Sequence, residues 1–338
     1  MKLLLPVASF RQQKSGIMLS KFSVIRLFRH ILTPEYPLSH SYSHTAMSPN
    51  LSRRAAVQKM AGAAGALALA GTPALSQARS VTSTPLKGNI NHSVCKWCYN
   101  NLSMEELARA ASQMGIESIE IIGPEDWPIL AKYDMICAMA NGPSQINKGF
   151  NRLEHHDDWL VPAFEARIKE VAKAGYPNVI AFSGNRDGMD DEQGLENCVV
   201  GLKKIMPFAE KYGVTVCMEL LNSKVNHPDY MCDNTAWGVE LVKRVGSERF
   251  KLLYDIYHMQ IMEGDIIRTI QENHQYFGHY HTGGNPGRNE IDHTQEIYYP
   301  AVMEAIKATG YKGYVGQEFI PARDPLTSLA EAIKICDV

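Results

Sequence analysis

The chain has 338 residues, 45% of them hydrophobic and 21% charged, with a formal net charge of −2. That is the composition of a folded globular protein, with too many apolar residues for a disordered chain. The near-neutral balance supplies no basic field for a polyanion, so a nucleic-acid partner is not expected.

The N-terminus reads as a leader. SRRAAVQK (52–59) is followed by the apolar run MAGAAGALALAG (60–71) and a small-residue end at Ser76-Gln77-Ala78. A basic region, a short apolar run and a small-x-small site are the layout of an export signal. The pair Arg53-Arg54 after Ser52 is similar to the twin-arginine form of that signal. The apolar run is too short to cross a bilayer core of roughly 30 Å, so no stable membrane span is expected. Residues 1–46 show no clear period of their own, and Met47 offers a compact alternative start, so 1–46 reads either as a start-site artefact or as a lengthened leader that is also removed. The expectation is a leader over 1–78, export to the periplasm, and a mature domain over 79–338.

From residue 89 onward short β-rich runs alternate with helical patterns. Eight strands are predicted: 90–95, 117–122, 135–140, 178–183, 214–220, 251–256, 276–281 and 313–319. Between them, SMEELARAASQMG (103–115) opens with Ser103 and has Glu106 three residues on, a capping box, and ends on Gly115. EARIKEVAKAG (165–175), PFAEKYG (207–213) and AVMEAIKATG (301–310) also end on glycine before the next strand, and SLAEAIKIC (328–336) closes the chain. Strict β/α alternation gives a parallel sheet through right-handed crossovers. Eight such units after residue 78 predict a single (β/α)8 TIM barrel, a fold of about 250 residues. An open doubly wound sheet is disfavoured because no glycine-rich phosphate loop follows the first strand.

In such a barrel the reactive side chains come from the C-terminal ends of strands. The fifth predicted strand ends with Glu219 facing inward, the sixth with Asp255, the seventh with His281 and the eighth with Glu318. Four consecutive strands thus bring three carboxylates and an imidazole to one rim. Carboxylates confined together raise one another's pKa or recruit a cation. Three oxygen donors and one nitrogen suit a hard to borderline divalent ion such as Mn, Mg or Co. His279, one layer deeper, reads as a packing or supporting residue. The seven cysteines (95, 98, 137, 198, 217, 232 and 336) are odd in number, which argues against a disulfide framework. Cys95 and Cys98 form a lone CxxC with no second pair at zinc-ribbon spacing.

The segments MELLN (218–222), LLYDIYHMQ (252–260), GHYHTGGNPGR (278–288) and GYVGQEF (313–319), with VCKWCY (94–99) at the first strand, resemble hydroxypyruvate isomerase and its relatives among the xylose-isomerase-like barrels. The resemblance implies that Glu219, Asp255, His281 and Glu318 bind one divalent metal ion. It implies that Glu219 and Glu318 carry the proton, and that His258, Arg288 and Asn222 contact the substrate. It further implies a homo-oligomer. The expected activity is aldose–ketose isomerisation of a small hydroxycarbonyl compound or sugar through an enediolate. A ketose 3-epimerase, or a lyase or dehydratase on a keto-sugar or inositol-like substrate, would use the same residues. A phosphoesterase on the same barrel would need more rim histidines and a basic surface. A non-catalytic sugar-binding barrel would have no use for a pair of proton carriers.

Overall fold

The computed structural model describes residues 85–338, so the leader reading over 1–78 lies outside the described residues. Seven strands form one parallel sheet: β1 (Asn91–Cys95), β2 (Ser118–Glu120), β3 (Asn178–Ala181), β4 (Thr215–Glu219), β5 (Phe250–Asp255), β6 (Phe277–Thr282) and β7 (Tyr314–Gln317). Their order is β2-β1-β7-β6-β5-β4-β3. The predicted strand at 135–140 is the exception. It makes only isolated parallel bridges, Ser118 to Ile136, Ile122 to Ala140 and Ala140 to Val179. These bridges lie between the two outermost strands, β2 and β3, and close the curled sheet into a TIM barrel. The ladder breaks at Ala138 because side chains take its backbone groups. Ser118 Oγ accepts from the Ala138 N–H at 2.9 Å, and Asn178 Nδ2 donates to the Ala138 carbonyl at 2.8 Å.

Nine α-helices lie among the described residues: α1 (Met104–Gln113), α2 (Trp127–Ala131), α3 (Val161–Ala174), α4 (Asp191–Tyr212), α5 (Thr235–Val245), α6 (Ile256–Met262), α7 (Ile266–Asn273), α8 (Tyr299–Ala308) and α9 (Pro325–Cys336). The capping box on α1 forms as read. Ser103 Oγ accepts from the Glu106 N–H at 3.2 Å, and Glu106 Oε2 accepts from the Ser103 N–H at 2.9 Å. α3 and α4 end on Gly175 and Gly213 in the left-handed region. The stretch 207–213 is only the last part of α4, a 22-residue helix that keeps Pro207 inside it. α4 starts at Asp191 because the Asp190 carboxylate accepts from the Gln193 N–H at 2.9 Å.

The main apolar core lies between barrel and helices, where Leu107, Ile168, Leu202 and Ile306 are fully buried. A second, smaller cluster of Met139, Ile180, Cys217 and Leu253 contributes from four neighbouring segments of the barrel wall. All seven cysteines are free and buried. No helix among the described residues is long and apolar enough to cross a membrane.

Candidate functional site

The predicted rim residues meet. β4 ends on Glu219, β5 on Asp255, and Asp255 pairs in register with His281 of β6. His281 in turn pairs with Gly316 of β7, which puts Glu318 just past the end of that strand. One ligand atom from each of Glu219, Asp255, His281 and Glu318 falls within 4.8 Å of every other, and all four residues are buried. Asp255 serves twice. Its Oδ1 accepts from the His258 N–H at 3.1 Å and so caps α6, while Oδ2 faces the cluster.

The cluster demands positive charge. Glu318 Oε2 lies 2.7 Å from His281 Nδ1, and Glu219 Oε1 lies 3.4 Å from it. Yet neither His281 Nδ1 nor Glu219 Oε1 has a hydrogen-bond partner, although both are buried. The opposite ring nitrogen explains this. His281 Nε2 donates to Glu120 Oε1 at 2.9 Å, which leaves Nδ1 facing acceptor oxygens. Either a proton or a metal cation satisfies that position. Burial alone would lower the His281 pKa, but Cys95 and Glu318 outweigh it and raise it well above the ordinary value. Burial, and then the charge of Glu318, push Glu219 up to about 7. Burial also raises Asp255, to about 6, against the pull of Arg288. Glu318 is the reverse case: Arg288 and His281 overcome its burial and hold it well below the usual carboxylate range. Four convergent ligands, two of them with unpartnered atoms, fit a divalent cation in this place.

Arg288 is drawn into the same cluster. Its Nη2 pairs with Asp255 Oδ2 at 2.8 Å and also with Glu318, and its Nε donates to the Glu318 carbonyl at 3.0 Å. The guanidinium also lies over the Trp97 and Tyr257 rings, 5.5 and 5.0 Å from their centroids. His258 is fully buried beside it, and burial followed by the Arg288 charge lowers its pKa well below normal. Asn222 stands behind His258 rather than on the cavity wall. Its backbone N–H donates to His258 Nδ1 at 3.1 Å, and its side-chain oxygen accepts from the Val225 and Asn226 N–H groups.

Two residues escaped the sequence reading. Glu120, at the end of β2, accepts from Nε2 of both His279 and His281 at 2.9 Å. Ser93 Oγ donates to its other oxygen at 2.8 Å. Burial pushes Glu120 up, but the facing His279 and the two imidazole hydrogen bonds prevail and hold it at about 2. Gly316 makes the approach feasible, because a Cβ there would sit 1.9 Å from Glu120 Oε1. The available signal was Glu120 itself, a charged residue at an inward strand position in ESIEII. Trp97 is the second. Its Nε1 donates to Glu318 Oε1 at 2.7 Å. A cavity of about 470 Å³ opens above the cluster, with Glu219, His258, Arg288 and Glu318 on its wall.

A parallel barrel with four convergent metal-type ligands at the C-terminal ends of its strands defines a class: TIM-barrel enzymes whose chemistry is built on that rim. Residues 108–336 match the family model described as xylose isomerase-like TIM barrel. The chain belongs to that family, and it is an isomerase. It is 27% identical over 239 residues to the hydroxypyruvate isomerase of Escherichia coli, covering 65% of this chain and 92% of that one. It is 24% identical over 250 residues to the 2-oxo-tetronate isomerase of Haemophilus influenzae, covering 68% and 93%. Among solved structures it superposes on a family 2 AP endonuclease from Brucella melitensis with a TM-score of 0.63, at 24% identity, over 72% of this chain and 98% of that one. That likeness is one of fold.

Proposed function

We propose that the protein is a divalent-metal-dependent isomerase that interconverts the aldose and ketose forms of a small hydroxycarbonyl compound, in the manner of hydroxypyruvate isomerase. The observation that carries this reading is the convergence of Glu219, Asp255, His281 and Glu318 within 4.8 Å, with unpartnered buried atoms on two of them. These four residues would hold the cation, and the oxygen-rich donor set favours Mn, Mg or Co. When bound, such an ion stabilises the negative charge that develops on neighbouring substrate oxygens.

The protein's own groups supply the rest. Without the cation, burial and the charge of Glu318 raise Glu219 to about 7. It lines the cavity, where its carboxylate would be the base that takes a proton from a substrate carbon. Glu318, held ionised by Arg288 and His281, would be the second base and would carry a proton only after taking one from the substrate. His258 and Arg288 stand on the cavity wall beside Glu318, where substrate oxygens would lie. Because Glu219 and Glu318 line the same cavity, return of the proton to the other face of the same carbon would make the reaction a 3-epimerisation. The nature of the product separates the two. The twin-arginine-type leader adds export to the periplasm to this proposal.

The test is solvent exchange. The protein is loaded with manganese and incubated in D2O with hydroxypyruvate and a panel of ketoses. Deuterium uptake at a carbon next to the carbonyl is expected, and it should vanish in Glu219→Gln and Glu318→Gln. Absence of uptake with every compound, at full metal occupancy, would overturn the reading.

A further inference from the structure

The cavity has two unlike halves. β4 to β7 and the segments that follow them supply Glu219, His227, His258, Arg288 and Glu318. On the β2 and β3 side the lining is Ile121, Ile146, Ile180 and Phe182, continued by Leu221 after β4. The backbone there has little to offer a hydroxyl. The N–H groups of Ile121, Ile180 and Phe182 donate to Met139 O at 2.8 Å, to Ala140 O at 3.0 Å and to Ser144 Oγ at 3.0 Å. The Leu221 N–H donates to Cys232 O at 3.2 Å.

Ile121 is held on this wall against its own preference. Glu120 faces the histidines inside the barrel, so strand alternation would turn the next side chain outward. Instead Ile121 has φ of 56°, a left-handed conformation that β-branched residues avoid. β2 ends there, and the Ile121 side chain lines the cavity. With Phe182 it packs on the cluster of Met139, Ile180, Cys217 and Leu253. Strain kept at a cavity wall points to a role in that cavity.

We propose that the substrate is a hydroxycarbonyl compound with an apolar substituent, of alkyl or aryl kind, seated against Ile121, Ile180 and Phe182. A polyhydroxylated tail would leave its hydroxyls without partners on that wall. The volume agrees: about 470 Å³ lies in the range of pockets for drug-sized ligands, well beyond the needs of a three-carbon acid. This inference rests on the isomerase reading for the polar half and concerns only the other half.

The experiment uses two probes with the same hydroxymethyl-ketone head, D-fructose and 1-hydroxy-4-phenylbutan-2-one. Deuterium exchange on the manganese-loaded protein and calorimetric binding are measured for each. The phenyl compound should be preferred at least about tenfold in both, since single methylenes in apolar pockets discriminate by roughly ten- to two-hundredfold. Ile121→Asn should abolish that preference, and asparagine is at ease in the left-handed region, so the fold persists. Ile121→Val should keep it. Exchange with fructose equal to or better than with the phenyl compound overturns the apolar substituent and leaves the isomerase standing. Selective binding of the phenyl compound without exchange of either probe supports the apolar subsite and counts against the isomerase. Neither exchange nor selective binding overturns both.

Discussion

Replacing Glu120 by glutamine tests whether this buried carboxylate sets up the rim ligands. Glu120 Oε1 accepts from Nε2 of His281 and His279, each at 2.9 Å, and lies in a fully buried environment. The isosteric amide keeps one acceptor oxygen and loses the charge. Hydrogen bonds to charged groups contribute about 1.5–3 kcal/mol against about 0.5–1.5 for neutral ones, so the weakened bond to His281 is worth about 1–2 kcal/mol. Groups that orient a metal-binding imidazole typically change metal affinity by about 10–100-fold, or about 1.4–2.7 kcal/mol, which overlaps that figure. The expected result is therefore a manganese Kd raised by about 10–100-fold in Glu120→Gln, read by titration with electron paramagnetic resonance. The far-UV circular dichroism should be unchanged. Glu120→Asp, which restores charge but shortens the reach, should recover part of the affinity. A folded Glu120→Gln protein whose Kd stays within about twofold of the parent would refute the argument that Glu120 acts through His281.

Gly316→Ala should reproduce much of that loss. Its Cβ would meet Glu120 Oε1 at 1.9 Å and His281 Cδ2 at 2.9 Å, so both must move, and metal affinity should fall at least about tenfold by the same titration. Metal binding should strengthen as pH rises through 6 to 7. Glu219 and Asp255 have raised pKa values of about 7 and about 6, so below these values protons compete with the cation and above them the carboxylates are free. Isothermal titration across pH 5.5–8.5 should show log Kd falling by about one or more per pH unit below 7 and still falling above it, because His281, raised well above its ordinary value, must also lose its Nδ1 proton, and a flat profile would contradict the assignment. Trp97→Phe removes the indole N–H that donates to Glu318 at 2.7 Å, while keeping an aromatic face for Arg288. It should lower kcat by about tenfold in steady-state assays with little change in Tm.

Much of the architecture was legible because its signals are local. The Ser103–Glu106 box, the glycines ending α3 and α4 and seven of the eight strand runs depend on neighbours a few residues away. The missing strand shows the limit. The apolar run at 135–140 reads as a strand, but Ser118 and Asn178 reach in from β2 and β3 and capture the backbone of Ala138. The extent of α4 was hidden for a different reason: Pro207 reads as a helix start, and only the packed structure shows that it lies inside one.

By itself, the sequence determined which side chains meet at the rim, because strand-end position plus barrel order fixes the neighbourhood of Glu219, Asp255, His281 and Glu318. Only the tertiary structure decided what lies across the barrel. Glu120 reaches His281, 161 residues away, through space that Gly316 leaves open, and no strand pairing announces that contact. Ile121 is the same lesson at one residue's distance. Alternation sends its side chain out of the barrel, and the left-handed turn that brings it over the cavity is imposed by the closed wall around it. Periodicity and motif spacing record interactions along the chain, whereas the supporting carboxylate and the apolar wall exist only once the sheet has curled shut.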